Sequence, residues 1–115
     1  MELKDVIHFY LGCEVTVPDS DEPRIIEGVG KSYIFTTGNG YYAISMNTQP
    51  ILRLLPDLTE EECRNLNWIF PVSVYVAKNF IINGMTPEEF KYLLSIGADL
   101  FGLIESGQAI NKTTL

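Results

Sequence analysis

The sequence predicts an α+β fold: an antiparallel sheet of three to five strands with helices from both chain ends packed mainly on one face. The first observation is that segments with the period-two pattern of strands concentrate between residues 13 and 46. The second is that segments with helical spacing and capping signals lie before and after this region. The third is the length of 115 residues, which predicts one domain over residues 1–115 with its own core.

The first helix is predicted at residues 2–11, where apolar side chains recur at the spacing of one helix face. These side chains are Leu3, Val6, Ile7, Tyr10 and Leu11. Gly12 follows and can take the left-handed conformation that often ends a helix. Because the segment is short, its apolar face must dock on the rest of the chain to be stable.

Four strands are predicted from alternating, β-branched and aromatic residues, at 13–17, 24–29, 32–37 and 41–46. Two prolines and four polar residues make 18–23 a loop between the first two strands. Gly38-Asn39-Gly40 separates the last two strands and predicts a hairpin turn. The first half of the chain is therefore expected to form an antiparallel meander.

The segment after the meander carries apolar residues between two prolines, Pro50 and Pro56. Because proline interrupts regular structure, we expect residues 47–58 to be an extended, partly buried segment that crosses the fold. Thr59-Glu60-Glu61-Glu62 then has the pattern of a capping box. A helix over residues 60–67 follows from this pattern, with its three acids suited to the helix dipole.

Residues 68–82 are open to two interpretations. The alternation of Val72, Val74 and Val76 favours a strand, and this is the prediction. A helix that begins with Pro71 at its first position is the alternative.

The last long helix is predicted from a capping box with proline at the first helical position, Thr86-Pro87-Glu88-Glu89. Gly97 supplies its stop. Asp99 is expected to cap one more short helix that ends at Gly107. The polar tail, residues 108–115, is expected to be loosely held.

Charge and hydropathy exclude several classes of function. The chain has 15 acidic and 8 basic residues and a net charge of -7, and its basic residues are scattered: Lys4, Arg24, Lys31, Arg53, Arg64, Lys78, Lys91 and Lys112. Because phosphate backbones are bound through clustered cations, no direct nucleic-acid binding is expected. The acidity is interpreted as serving solubility, with binding of a basic partner as the alternative. Without a membrane span of about 18 apolar residues or a signal peptide, we expect a cytoplasmic protein.

No catalytic, metal or cofactor set can be assembled from the residue types present. Cys13 and Cys63 are expected to be buried free thiols, with a disulfide as the alternative. His8 is the one histidine, so the usual zinc ligands are incomplete. We expect this histidine at the surface, and we expect the acids at 60–62 to serve helix capping. The protein is therefore expected to need no cofactor, and the lack of a catalytic set favours a non-enzymatic role over an enzymatic one.

Two motifs resemble functional signatures but depart from them. Gly28-Val29-Gly30-Lys31-Ser32 ends like a P-loop, yet the first glycine of that motif would fall on Ile25, and a strand-forming sequence follows. We therefore predict a turn between the second and third strands. Residues 87–106 resemble a helix-turn-helix in outline, but the second part lacks the side chains that read bases, and a packed helical hairpin is expected.

Aromatic side chains provide the candidate partner-binding residues, Tyr33, Phe35, Tyr41, Tyr42 and Trp68. Alternation places Tyr33 and Phe35 on one face of the sheet, and it sends one of the two adjacent tyrosines to the other face. If that face is bare, it is a binding surface. The alternative is ordinary cross-strand packing on the sheet.

Residues 96–115 resemble the ending of a group of small uncharacterised proteins of phages, prophages and mobile elements from anaerobic gut bacteria. Residues 4–13 and 50–62 are similar to the opening and middle of the same group. Where that group often has a histidine before the aspartate of the last motif, this chain has Ala98. The resemblance implies a small accessory protein made inside a bacterial host, and it assigns no catalytic residue.

We therefore expect a non-enzymatic interaction protein that binds a host or phage protein, or itself as a homo-oligomer. The alternative is a small-ligand or nucleotide-binding domain, or a weak enzyme, with its site between sheet and helices. A mimic of DNA charge is a third hypothesis, and the dispersed acids do not favour it.

Overall fold

The strands of the first half form one antiparallel sheet in a computed structural model that describes residues 2–45, 47–73 and 84–114. The four strands lie in chain order and are β1 Glu14–Val15, β2 Arg24–Val29, β3 Tyr33–Thr36 and β4 Gly40–Ala43. All four predicted strands are present, although β1, β3 and β4 are shorter than their sequence patterns. The predicted α+β class and the meander are therefore confirmed.

A tight turn over Thr37–Asn39 joins β3 to β4, as the glycine-rich triplet predicts. Gly38 has a φ of 74°, a conformation that favours glycine. The Arg24 side chain crosses this turn and donates from Nη1 to the Thr37 carbonyl at 2.9 Å. A Cβ at position 38 would overlap Arg24 Nη1, so both the backbone and the neighbour require glycine here.

The crossing segment contributes one strand to a second, two-stranded sheet, and the C-terminal tail contributes the other. Its strands are β5 Ile51–Leu52 and β6 Ile110–Asn111, which pair in parallel. The Ile110 N–H donates to the Pro50 carbonyl at 2.9 Å, and Thr16 N–H donates to Gln49 at the same distance. The predicted crossing segment is extended over residues 50–54, whereas Leu55–Asp57 form a 3-10 turn, so the prediction of an extended chain over 47–58 is confirmed only for its middle part. The prediction of a loosely held tail is wrong, because main-chain hydrogen bonds attach residues near its start to residues 50–52.

Among the residues that the structure describes, three α-helices supply most of the helical part of the fold. They are α1 Leu3–Val6, continued by a 3-10 turn over Ile7–Tyr10, α2 Glu60–Leu66, and α3 Pro87–Ser95. Both predicted capping boxes are formed, with Thr59 and Glu62 at α2 and with Thr86 and Glu89 at α3. Local capping signals therefore located the start of each of the last two helices.

The predicted short helix after Asp99 is wrong. Residues 103–107 form turns, and Gly102 has a φ of 69°, which interrupts a right-handed helix. Asp99 nevertheless acts as a cap, because its buried carboxylate accepts the N–H groups of Phe101, Leu103 and Ile104 at 3.2, 3.0 and 2.9 Å. The side chain thus satisfies backbone donors of a compact turn instead of a helix. A packed helical hairpin over 87–106 is accordingly not formed.

The strand predicted at 68–82 falls largely on residues 74–83, which lie outside the described residues. Residues 68–73 are described, and they form neither strand nor helix. The peptide bond between Phe70 and Pro71 is cis.

One hydrophobic core joins the sheet to the helices. Ile26 and Ile34 face inward from the sheet, Ile7 and Tyr10 from the first helical segment, and Leu93 from α3, each almost fully buried. The Tyr10 hydroxyl donates to the Ala98 carbonyl at 2.9 Å and accepts the Leu100 N–H at 3.2 Å. The core therefore lies on one face of the sheet.

Candidate protein-binding surface

The two faces of the sheet differ sharply in burial. Along β3, Ile34 and Thr36 are buried, whereas Tyr33 and Phe35 are 41% and 45% exposed. This alternation follows from the pleat, because successive side chains of a strand point to opposite faces. The placement of Tyr33 and Phe35 on one face agrees with the sequence prediction.

Three exposed rings form a cluster on this outer face: Tyr33, Phe35 and Tyr41, hereafter the aromatic cluster. Tyr41 is 56% exposed. Its ring stacks on Tyr33 with centroids 4.7 Å apart and an interplanar angle of 11°, and it lies 5.0 Å from the Phe35 ring. The rings therefore pack against one another across strands and remain exposed. Cross-strand packing and a bare surface, the two interpretations given for these residues, are thus both present on the same face.

Glycine in the neighbouring strand β2 makes room for the aromatic cluster. Gly28 lies opposite Phe35 in the register, and a Cβ at position 28 would be 3.4 Å from the Phe35 ring. The pairing between β2 and β3 shifts between Ile26 and Gly28, as in a β-bulge. The Phe35 ring therefore lies directly against position 28 of the neighbouring strand.

Tyr42 points to the opposite face, as alternation requires of one member of the pair 41/42. It is half-buried against the core, and its hydroxyl donates to Asp19 Oδ1 at 2.5 Å. This hydrogen bond is the main cause of a raised pKa of the Tyr42 hydroxyl. Tyr42 therefore fixes the loop before β2 against the sheet and is not part of the aromatic cluster.

Trp68 lies in the helical part of the fold. Its ring packs against the core, and its Nε1 donates to Glu89 Oε2 at 2.7 Å, which links the end of α2 to the start of α3. This bond and the capping hydrogen bond lower the pKa of Glu89. The structure thus brings three of the five candidate residues together and places Tyr42 and Trp68 elsewhere.

A second group of rings was not predicted from the sequence. Phe9 stacks on Phe101 with centroids 5.5 Å apart, and Phe90 meets both rings edge-on at 5.7 and 6.3 Å. The rings come from three distant segments, so no local sequence pattern predicts their contact. Phe90 and Phe101 are packed against the core, so this group is a packing contact between the first helical segment, α3 and the turn that follows Asp99.

The remaining sequence motifs have structural roles. Gly30 N–H donates to the Tyr33 carbonyl at 2.7 Å in the turn from β2 to β3, which confirms a turn at the P-loop-like segment. His8 is exposed, as predicted. Cys13 and Cys63 are buried and free, and burial raises the pKa of both thiols. Within residues 2–45, 47–73 and 84–114, no group of three or more side chains is placed to hold a metal ion.

A cleft of about 490 Å³ lies between the end of α2 and the start of α3. Polar residues line it, among them Asn65, Asn67 and Glu88. A smaller depression of about 140 Å³ contains Cys13, Arg53 and Lys112, but Arg53 is bound to Glu62, and Lys112 lies 3.6 Å from Glu14. Both cations of that depression are therefore already paired with carboxylates.

No family model, curated protein or solved structure matches this chain. In the part of the chain that the structure describes, every helix is too short or too polar to cross a bilayer. The geometry of the aromatic cluster is therefore the main indication of function.

Proposed function

We propose that this chain is a small non-enzymatic accessory protein that binds a partner protein through the aromatic cluster on the outer face of its sheet. The observation that carries this proposal is the exposure of three contiguous rings, 41–56% each, on a face opposite the core. Contiguous exposed apolar surface is favourable to bury, and tyrosine is enriched among the residues that dominate binding energy.

The cluster has the properties of a preorganised contact. Each ring is restrained by its neighbours, and the hairpin register holds Phe35 directly opposite Tyr41. Side chains that are already ordered lose little conformational entropy on binding. We further propose a phage or mobile-element origin and a bacterial cytoplasmic setting, which rest on the resemblance of residues 96–115, supported by that of residues 4–13 and 50–62.

The alternative of a small-ligand site between sheet and helices has less support. The 490 Å³ cleft lies between α2 and α3, and the depression beside the first helix, lined by Leu3, Ile44 and Gln108, has about 160 Å³. Sites for drug-sized ligands are usually concave, largely apolar and at least 300 Å³ in volume, as a rough guide. The cleft reaches that size, but polar side chains line it.

Site-directed photo-crosslinking in bacterial cells tests the proposal. A photoreactive phenylalanine analogue is placed at position 41, with the same analogue at Glu61, an exposed position on α2, as the control. We expect one saturable crosslinked species from position 41 and none from position 61. The crosslinked protein is then purified and its affinity for the wild-type chain measured directly.

A second variant, Phe35→Ser, serves as the competitor control. It removes one ring of the cluster at an exposed position, so folding should be retained and circular dichroism should be unchanged. We expect this variant to compete poorly for the purified partner. Equal crosslinking from positions 41 and 61, or unchanged competition by Phe35→Ser, would contradict the proposed function.

A further inference from the structure

The two edges of the four-stranded sheet differ in how they are covered. Beyond β1, the crossing segment closes the edge, because Val15 pairs with Pro50 and Thr16 N–H donates to Gln49. Strand β4 forms the other edge of the sheet. It carries neither lysine nor proline, which proteins commonly use to protect an exposed edge.

Hydrogen bonding shows which groups of β4 point away from the sheet. Ile44 N–H donates to the Ser32 carbonyl at 3.0 Å, so Ile44, Tyr42 and Gly40 direct their backbone groups toward β3. Tyr41 and Ala43 alternate with them and direct theirs outward. The Ala43 carbonyl is capped by the Thr48 hydroxyl at 2.9 Å. Among the hydrogen bonds of the described residues, none satisfies the Tyr41 N–H, the Tyr41 carbonyl or the Ala43 N–H.

Building on the proposed function, we infer that β4 accepts an extended segment of the partner as a fifth strand, with an apolar side chain facing Tyr41 and a lysine or arginine facing Asp19. A residue paired with Tyr41 would place its side chain on the outer face, beside the aromatic cluster. Its two neighbours in the added strand would point to the inner side, where Tyr42 holds Asp19.

Charge complementarity selects the basic residue. Asp19 is exposed and belongs to a loop with two further exposed acids, Asp21 and Glu22. The positive charge of Arg24 also acts on the Tyr42 hydroxyl, and Arg24 Nη1 donates to the Thr37 carbonyl, so this cation offsets one of the three acids. The loop therefore keeps an excess of negative charge near the Tyr42 hydroxyl. A cation in an added strand would be attracted there, whereas an acid would be repelled.

The short length of β4 favours a peptide segment over a second copy of this chain. Its four residues span about 13 Å, and only part of that edge is open. A stable protein dimer usually buries about 800 Å² on each partner, which a four-residue edge with three rings does not provide. An extended segment needs less area, because its main-chain hydrogen bonds supply much of the affinity.

The test uses the full chain and a blocked peptide that has a central phenylalanine flanked on each side by lysine, with threonine at both ends. Binding is followed by amide chemical shifts of the 15N-labelled protein. We expect saturable shifts at Tyr41, Ala43 and Asp19. The same peptide with both lysines replaced by glutamate should bind several-fold more weakly. N-methylation of the phenylalanine should cost about tenfold, because it removes the donor to the Tyr41 carbonyl.

Two variants locate the contact. Ala43→Pro removes an outward N–H without touching the bonds to β3, and Asp19→Asn removes the charge while it keeps an acceptor for Tyr42. Both should weaken binding of the lysine peptide, whereas Glu61→Gln, a matched change of charge on α2, should not. The N-methylated peptide keeps the test independent of whether Ala43→Pro folds.

The outcomes separate this inference from the proposed function. Crosslinking from position 41 together with no peptide binding, or with equal binding of the glutamate peptide, overturns strand addition and leaves the aromatic surface as the contact. Dimers that form as the protein concentration rises, and that Ala43→Pro abolishes, would identify a second copy of this chain as the occupant of the β4 edge. This result would also overturn the addition of a partner segment. Loss of both crosslinking and peptide binding refutes both proposals.

Discussion

The Arg53 guanidinium binds the Glu62 carboxylate through both terminal nitrogens, and the Nη1–Oε2 distance is 2.7 Å. Glu62 Oε1 also accepts the Thr59 N–H at 2.8 Å, as the capping box requires. The two side chains are only 18% and 16% exposed. One carboxylate therefore both caps α2 and attaches it to the crossing segment, which lies between β6 and residues 97–99.

Replacing this carboxylate should destabilise the fold. We expect Glu62→Gln to lower the free energy of unfolding by about 1–3 kcal/mol, because it removes a charged acceptor from a half-buried arginine and weakens a cap. Urea denaturation measures this change. The control is Glu60→Gln, whose partner Arg64 is 3.8 Å away with both side chains 72% exposed, and which should change stability by less than about 0.5 kcal/mol.

The same pair should make stability depend on acidic pH. The hydrogen bonds from Arg53 are the first cause that lowers the pKa of Glu62, from 4.5 to about 2. A lowered folded-state pKa means that the stabilisation is complete above pH 4.5 and is lost as pH falls toward 2. Denaturation midpoints between pH 6 and 2 should therefore fall more steeply for the wild type than for Glu62→Gln. Parallel pH profiles would contradict this assignment.

Tyr10 connects the first helical segment to the turn after α3. We expect Tyr10→Phe to cost about 2 kcal/mol, because it leaves the buried Ala98 carbonyl and Leu100 N–H without the hydroxyl that satisfies both. Thermal and urea unfolding give the value. Tyr41→Phe is the matched control, since it removes the same atom from an exposed ring, and its effect should lie within about 0.5 kcal/mol.

Alanine substitutions at two glycines with similar φ values distinguish the cost of backbone strain from the cost of steric overlap. Gly38 and Gly102 have φ values of 74° and 69°, but a Cβ would overlap Arg24 at position 38, and it would meet nothing within 4 Å at position 102. Gly102→Ala should cost about 1 kcal/mol from backbone strain alone. Gly38→Ala should cost more, because Arg24 must also leave its position over the turn. Equal losses for the two variants would show that Arg24 moves without cost.

Sequence patterns were reliable where neighbouring residues decide the structure. The capping boxes at Thr59 and Thr86 begin helices because a hydroxyl and a carboxylate three residues apart satisfy each other's backbone donors. The glycine triplet at 38–40 gave the hairpin for a similar reason. Alternation likewise placed Tyr33 and Phe35 together, since the pleat of a strand is a local property.

The candidate site was only partly predictable. Alternation requires Tyr41 and Tyr42 to point apart, but only the register of the hairpin decides that Tyr41 is the one that faces Phe35. Trp68 belongs to no strand, and its position depends on Glu89, which lies 21 residues further along the chain. The open edge of β4 is a property of the assembled sheet.

The amino-acid sequence by itself determined the class of fold, the helix starts and the aromatic face of β3, because capping, turn formation and pleating act over a few neighbouring residues. Only the tertiary structure decided that the tail pairs with Ile51–Leu52, that Asp99 caps a turn, and that the crossing segment covers the β1 edge of the sheet while no described residue pairs with the β4 edge. Every residue except proline carries the same backbone donor and acceptor. Which distant segments they join depends on how the core brings the chain together.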